Sequence, residues 1–351
     1  MSAAPHYVMA LVFSPDGDRV AVLVGQHRHE RQNLVHLLLF GLSGVGQTPL
    51  QADLVDEGIM FAEKMQWSNS GQILFVQLSD RVLLIDPNTA ATICESRSLP
   101  RKGYLMPGGL IGPDSYVVGD RGEALKRDGW LKRNGWLWFY DLACKPLREN
   151  DADARPSSGD TAPAAGLLAM ADETTKIVVV HEPDGQAVSI PDGRFLVQVG
   201  FLESGGMLCS GTLPQQGNGS LVCWKLDGHT PGVFSRFEVN DGGTAPFATS
   251  SEASIVMIPD RGYTYNPFTE NTGRRLKRYV IWDAESGATI ATIAPRKQWL
   301  PGYTENTPRK VGDSLVFAVS RDGGLVALAT VDSIEIFKVP SAPPSGDRKR
   351  R

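Results

Sequence analysis

The sequence predicts an all-β chain, a single β-propeller of seven blades whose last blade is imperfectly closed, and three observations carry that expectation. Short apolar runs recur as hairpin pairs, a turn rich in Ser, Asp and Gly divides the clearest pairs, and a third run ends on an apolar residue at a second turn. The 37 glycines and 23 prolines suit short strands joined by tight turns.

The first hairpin covers residues 8–25. An apolar run ends at Phe13, Ser14-Pro15-Asp16-Gly17 makes the turn, and Val20, Val22 and Val24 alternate on the way back. The second follows the same grammar around Ser68-Asn69-Ser70-Gly71, and the last, from residue 317 to 330, around Ser320-Arg321-Asp322-Gly323. Looser copies lie at 110–119 around Pro113-Asp114, at 167–180 around Asp172-Glu173, at 199–210 around Ser204-Gly205-Gly206, and at 247–258 around Ser251-Glu252. The third runs end at Phe40-Gly41, Ile85-Asp86, Tyr140-Asp141, Trp224-Lys225, Trp282-Asp283 and Phe337-Lys338.

Ser-Pro-Asp-Gly between the first two strands and Trp-Asp at the end of the third resemble the pieces of the WD-repeat family. The resemblance spans nearly the whole chain but loosely, because the Gly-His pair that opens each repeat in that family occurs here once, as Gly228-His229. It implies a divergent propeller that serves as an interaction platform. Hairpin spacing runs from roughly thirty to about seventy residues against a usual ~40 to 45, so six or eight blades stay open.

Propeller physics accounts for the apolar runs 34–40, 82–85, 177–180 and 255–258, since a blade flanked by blades buries both faces. Two stacked β-sandwiches are the rival architecture, and no linker divides the chain into balanced halves to support them. The propeller is assigned to residues 1–339 and a disordered basic tail to 340–351, ending Arg348-Lys349-Arg350-Arg351. After the third strand of the last blade only proline-rich sequence follows. Either residues 4–7 supply a stub of the missing fourth strand or a partner covers that edge.

Hydrophobic residues at 42% and charged residues at 21% describe an ordinary soluble chain, and a net charge of -4 excludes the strongly positive field of a nonspecific nucleic-acid binder. No apolar stretch approaches ~18 residues and no charged leader opens the chain, so a cytoplasmic protein without membrane contact is expected. Cys94, Cys144, Cys209 and Cys223 are far apart and form no Cys-x-x-Cys, which reads as four free, buried thiols. The stretch 151–165 reads as a flexible loop between blades.

Strands in a blade alternate direction, so loops between second and third strands share one end of the ring with the connections between blades. Three of them are long: 26–33, 120–134 and 260–278. Together they hold twelve cations and six anions, a sum of +6 in a chain of net charge -4. The candidate binding residues are Arg28, Arg31, Lys126, Arg127, Trp130, Lys132, Arg133, Tyr263, Tyr265, Arg274, Arg275, Lys277, Arg278 and Trp299. Cations beside aromatic rings suit an acidic peptide or protein, or a nucleic acid through these loops and the tail.

His27 and His29, beside Glu30, offer metal-ligand chemistry, but no further ligand can be identified from the sequence, and no metal or cofactor is expected. His36 and His181 read as structural. No nucleophile elbow, dinucleotide fingerprint, phosphate loop or His-Glu-x-x-His motif is present. The expected function is therefore a noncatalytic scaffold, a subunit of a larger complex; the alternative is a hydrolase or lyase with its site in the central channel.

Overall fold

Serine, aspartate and glycine at fixed spacing write one turn three times. The Ser14 hydroxyl donates to Asp16 at 2.5 Å and accepts the Arg19 amide at 2.9 Å. Ser320 repeats both bonds with Asp322 at 2.6 Å and Leu325 at 2.8 Å. Ser68 accepts the Ile73 amide at 3.0 Å, with the Ser70 hydroxyl in the aspartate's place at 3.2 Å. The fourth turn residue is left-handed, with φ of 74° at Gly17, 70° at Gly71 and 75° at Gly323, a conformation open to glycine because it lacks a Cβ.

The computed structural model describes residues 6–27, 33–43, 48–56, 64–78, 81–96, 105–120, 136–151, 156–172, 176–181, 187–191, 196–212, 219–226, 231–239, 247–264, 273–294, 316–329 and 333–340. Blade 1 comprises β1 (His6–Phe13), β2 (Arg19–His27), β3 (Asn33–Gly41) and β4 (Leu50–Asp56). Blade 2 comprises β5 (Lys64–Trp67), β6 (Leu74–Gln77), β7 (Val82–Asp86) and β8 (Ala91–Ser96). Blade 3 comprises β9 (Leu105–Ile111), β10 (Ser115–Asp120), β11 (Trp136–Asp141) and β12 (Pro146–Asp151). Blade 4 comprises β13 (Pro156–Ala162), β14 (Leu167–Asp172), β15 (Lys176–His181) and β16 (Ala187–Pro191).

Blade 5 comprises β17 (Leu196–Leu202), β18 (Met207–Thr212), β19 (Gly219–Lys225) and β20 (Gly232–Val239), with a 3-10 turn at Glu203–Gly205. Blade 6 comprises β21 (Ala248–Thr249), β22 (Ile255–Thr264), β23 (Gly273–Asp283) and β24 (Ala288–Ile293). Blade 7 comprises β25 (Phe317–Val319), β26 (Leu325–Ala329) and β27 (Ile334–Lys338), with no fourth strand among the described residues. All sheets are antiparallel meanders in sequence order.

First strands touch first strands from β1 to β5 and onward to β25, and β25 returns to β1, so they line an axis and the ring closes. Each of the seven seams holds its own apolar cluster. Successive residues of one strand serve opposite seams: Leu74 and Val76 face blade 1, while Phe75 faces blade 3, and all three are fully buried. At ~25 cal/mol per Å², such two-sided burial stabilises the ring through every blade at once. The last seam packs Leu11, Phe13, Val20 and Val22 against Ala318 and Ala327.

Every expected third-strand ending coincides with a strand end, from Gly41 in β3 to Lys338 in β27. Other expectations are corrected. The fourth hairpin is displaced: Asp172 leads from β14 into β15, and the true first strand of blade 4 is β13, inside the stretch read as a flexible loop. Its sequence, PSSGDTA, is polar because it faces the axis. His6 and Tyr7 pair with Gln26 and Gly25 in blade 1 and add nothing to blade 7; residues 4 and 5 lie outside the described residues. The cysteines pair as Cys94–Cys144 and Cys209–Cys223. Cys209 and Cys223 oppose each other directly in the β18–β19 register, a proximity that distance along the chain conceals.

Candidate functional site

The first strands surround an axial cavity of about 240 Å³ that opens among the hairpin turns. Its polar lining comes chiefly from Lys64 and Gln66 of β5, Asp160 and Thr161 of β13, and the turns of blades 6 and 7. Lys64 Nζ donates to Asp160 Oδ1 at 2.7 Å, an ion pair between blades 2 and 4 with both side chains mostly buried. Asp160 Oδ2 also accepts the Phe201 amide of blade 5 at 2.9 Å. One carboxylate therefore ties three blades.

Blade 3 lies between the two ion-pair partners and yields the space. A Cβ on Gly109 would stand 2.4 Å from both Gln66 Oε1 and Thr161 Oγ1. Without it, Gln66 Oε1 accepts the Leu110 amide at 2.8 Å and the Thr161 hydroxyl at 3.0 Å. Gln77 accepts the Gly108 amide at 2.9 Å. Further round, Gln198 exchanges two bonds with the Phe247 backbone, at 2.7 and 2.9 Å, and Ser158 accepts the Val199 amide at 3.3 Å. Several of these bonds satisfy backbone groups on the inner edges of the first strands, which have a pairing strand on one side alone.

Arg321 closes part of the turn-side mouth. Its Nη2 pairs with Glu252 Oε1 at 2.5 Å, and its Nη1 reaches the Asn69 carbonyl at 3.2 Å, so it spans from blade 6 to blade 2 past blade 1. The Arg321 carbonyl accepts Ser250 Oγ at 2.5 Å and the Glu252 amide at 2.9 Å. Within this mouth both carboxylates are engaged by cations. These bonds tie blades 2, 4, 5, 6 and 7 to one another around the cavity.

Around the mouth, carboxylates hold their own turns. A bond from Ser14 holds Asp16 below the usual carboxylate range, and one from Ser320 does the same for Asp322. Asp283 ends β23: burial pushes it upward, but hydroxyls of Ser254 and Ser286 and nearby amides outweigh that and leave it lowered. Glu203 is raised, first by burial and then by repulsion from Glu285, which Lys225 partly offsets.

Of the residues expected to bind a partner, Arg28, Arg31, Lys126, Arg127, Trp130, Lys132, Arg133, Tyr265 and Trp299 lie outside the described residues. Tyr263, Arg274, Arg275, Lys277 and Arg278 fall in strands, not in the loop expected across 260–278. β22 and β23 continue pairing from Asp260↔Arg278 to Thr264↔Gly273, with a bulge after the first pair. β21 pairs with β22 no further than Met257 and β24 ends opposite Tyr279 of β23, so no third strand among the described residues flanks this extension. Arg278 is exposed. His27 closes β2 against Asn33, and His29 and Glu30 lie outside the described residues. His36, in β3, meets Asp53 of β4 at 2.7 Å.

The axial residues Lys64, Gln66, Asp160 and Thr161 were not singled out in the sequence. Their one visible signal is a polar segment at a strand-length interval from its neighbours.

No protein-family model matches the chain, and no curated protein matches it. Solved structures do. A chain in the crystal structure of a mitotic checkpoint complex matches with a TM-score of 0.62 at 14% identity, covering 95% of this chain and 91% of that one. The β-propeller domain of Cps50 (Swd1) from Myceliophteria thermophila matches with a TM-score of 0.61 at 14% identity, covering 96% of this chain and 98% of that domain. Together with the seven seams, these likenesses make the chain, in fold, a seven-bladed β-propeller.

Proposed function

We propose that the chain is a noncatalytic interaction scaffold that captures an acidic partner at the end of the ring where β22 and β23 project. The observation that carries this reading is their unflanked extension. Its sequence places Arg261, Arg274, Arg275, Lys277 and Arg278 against Asp260 within a few residues of Tyr263. A two-stranded arm beyond the sheet can meet a partner without disturbing the seams, and the cations of its sequence steer anionic groups toward it. One structural neighbour is part of a mitotic checkpoint complex, in keeping with protein partners for this fold.

The test is fluorescence polarisation with labelled polyglutamate and, separately, single-stranded DNA, across a salt series. Arg274→Glu with Arg275→Glu should weaken polyglutamate binding at least ~10-fold, and salt should weaken the parent. Unchanged binding by the double variant removes the arm from the interface. A preference for DNA over polyglutamate replaces the acidic protein with nucleic acid.

A further inference from the structure

Two cysteine pairs sit in unlike surroundings. Cys209 and Cys223 oppose each other across β18 and β19, Cα atoms 4.0 Å apart, and both are fully buried in the seam between blades 5 and 6. Cys94 of β8 and Cys144, in the turn between β11 and β12, join blade 2 to blade 3 and are only partly buried at the rim of that seam.

Cys144 occupies an unusual backbone position. Its φ is 60°, in the left-handed region that a residue with a Cβ enters at a cost; the corresponding turns of blades 6 and 2 place Gly287 at φ 70° and Ala90 at φ 57°. A cysteine held there contributes its sulfur. Beside it, Cys94 Sγ lies 3.4 Å from the Leu142 carbonyl, so a thiol formed at Cys94 finds an acceptor in place.

We propose that Cys94–Cys144 is a thiol–disulfide exchange site, a redox-sensitive latch on the seam between blades 2 and 3, whereas Cys209–Cys223 is a permanent staple. The reactant class is a dithiol. Its thiolate attacks the Cys144 sulfur, the bond to Cys94 breaks, and the released Cys94 thiolate takes a proton. The second thiol of the reductant then displaces Cys144 from the mixed disulfide. The chain gains two electrons and two protons as a pair of thiols, and the reductant leaves as its own disulfide. Reduction frees the turn at Cys144 while Phe75, Tyr116, Trp138 and Tyr140 keep the seam packed. The buried pair reacts only when blade 5 opens, which is the slower event.

The experiment treats the folded, full chain with dithiothreitol, alkylates it with iodoacetamide, and maps the modified peptides over time. Cys94 and Cys144 should be unmodified without reductant and should alkylate at least ~10-fold faster than Cys209 and Cys223 with it. Modification of Cys94 or Cys144 before reduction, resistance of that pair in the folded chain, or equal rates for both pairs overturns the proposal. In the Cys94→Ser, Cys144→Ser variant, held folded with dithiothreitol below its thermal midpoint, Cys209 and Cys223 should alkylate no faster than in the parent; rapid alkylation of that pair also overturns the proposal.

Discussion

Lys64 and Asp160 meet at 2.7 Å although a whole blade separates the strands that carry them. Their strand neighbours Gln66 and Thr161 also meet, across Gly109, at which blade 3 offers the axis no side chain. Asp160 also accepts the Phe201 amide at 2.9 Å, so the ion pair is one node of a belt of side-chain bonds around the first strands. Pairing across the axis in this way resists blade slippage, which apolar seams alone permit because their contacts lack direction.

Replacing Asp160 with Ala should therefore destabilise the ring by about 1–3 kcal/mol, because it strands the Lys64 ammonium and the Phe201 N–H together. Asp160→Asn should cost less, since an amide oxygen still accepts the Phe201 bond. Urea titration of the three proteins checks the order; equal midpoints for parent and Asp160→Ala would show that water replaces the pair without loss.

Gly109→Ala tests the same belt from the other side. The new Cβ, 2.4 Å from Gln66 Oε1 and Thr161 Oγ1, must drive one of them away. Overpacking of this kind costs about 1–3 kcal/mol. In the Gln66→Ala background the Gly109→Ala cost should fall, and a double-mutant cycle reads the difference. Additive losses would place the strain elsewhere.

Gly17→Ala and Gly323→Ala separate backbone strain from crowding. Both positions are left-handed, φ 74° and 75°, but a Cβ at Gly17 meets its nearest atom at 4.0 Å, whereas at Gly323 it meets Ile255 Cγ1 of blade 6 at 2.7 Å. Gly17→Ala should cost about 1–2 kcal/mol, the left-handed penalty alone. Gly323→Ala should cost more by the repacking of Ile255. Thermal unfolding of the two variants decides, and equal losses would count against the contact.

The serine turns were legible because every bond they need lies within the turn: Ser14 finds Asp16 and Arg19, and Ser320 finds Asp322 and Leu325. β13 was not legible, for the opposite reason. Asp160 meets Phe201 across 41 positions and Lys64 across 96, and Thr161 meets Gln66 across 95, so a polar strand has the composition of a loop until its distant partners are in place. The disulfides share this blindness, since register and seam geometry join residues that composition treats as independent. The arm of β22 and β23 was misread because cations and glycine mask its alternation, while backbone pairing needs none of those side chains to be apolar.

Asp283 and Glu203 should give the stability curve two carboxylate contributions of opposite sign. Asp283 is buried with its pKa lowered by Ser254, Ser286 and nearby amides against the burial that raises it. A lowered folded pKa means the native chain binds fewer protons than the unfolded one, so its stability is present above the ordinary value of 3.8 and is lost as pH falls through the depressed one. Glu203 is raised by burial and by Glu285, so the folded chain binds protons more readily, and ionising Glu203 above the carboxylate range costs stability. Asp283→Asn should lower the thermal midpoint at pH 7 and lose that effect in strong acid. Glu203→Gln should raise the midpoint at pH 7, with the gain shrinking as pH falls through the raised value and gone below the ordinary Glu value of 4.5. Melting curves from pH 2 to 8 carry the check. Two variants that shift the midpoint in the same direction at pH 7 would refute the opposed assignment, and a Glu203→Gln gain independent of pH would assign it to packing instead of charge.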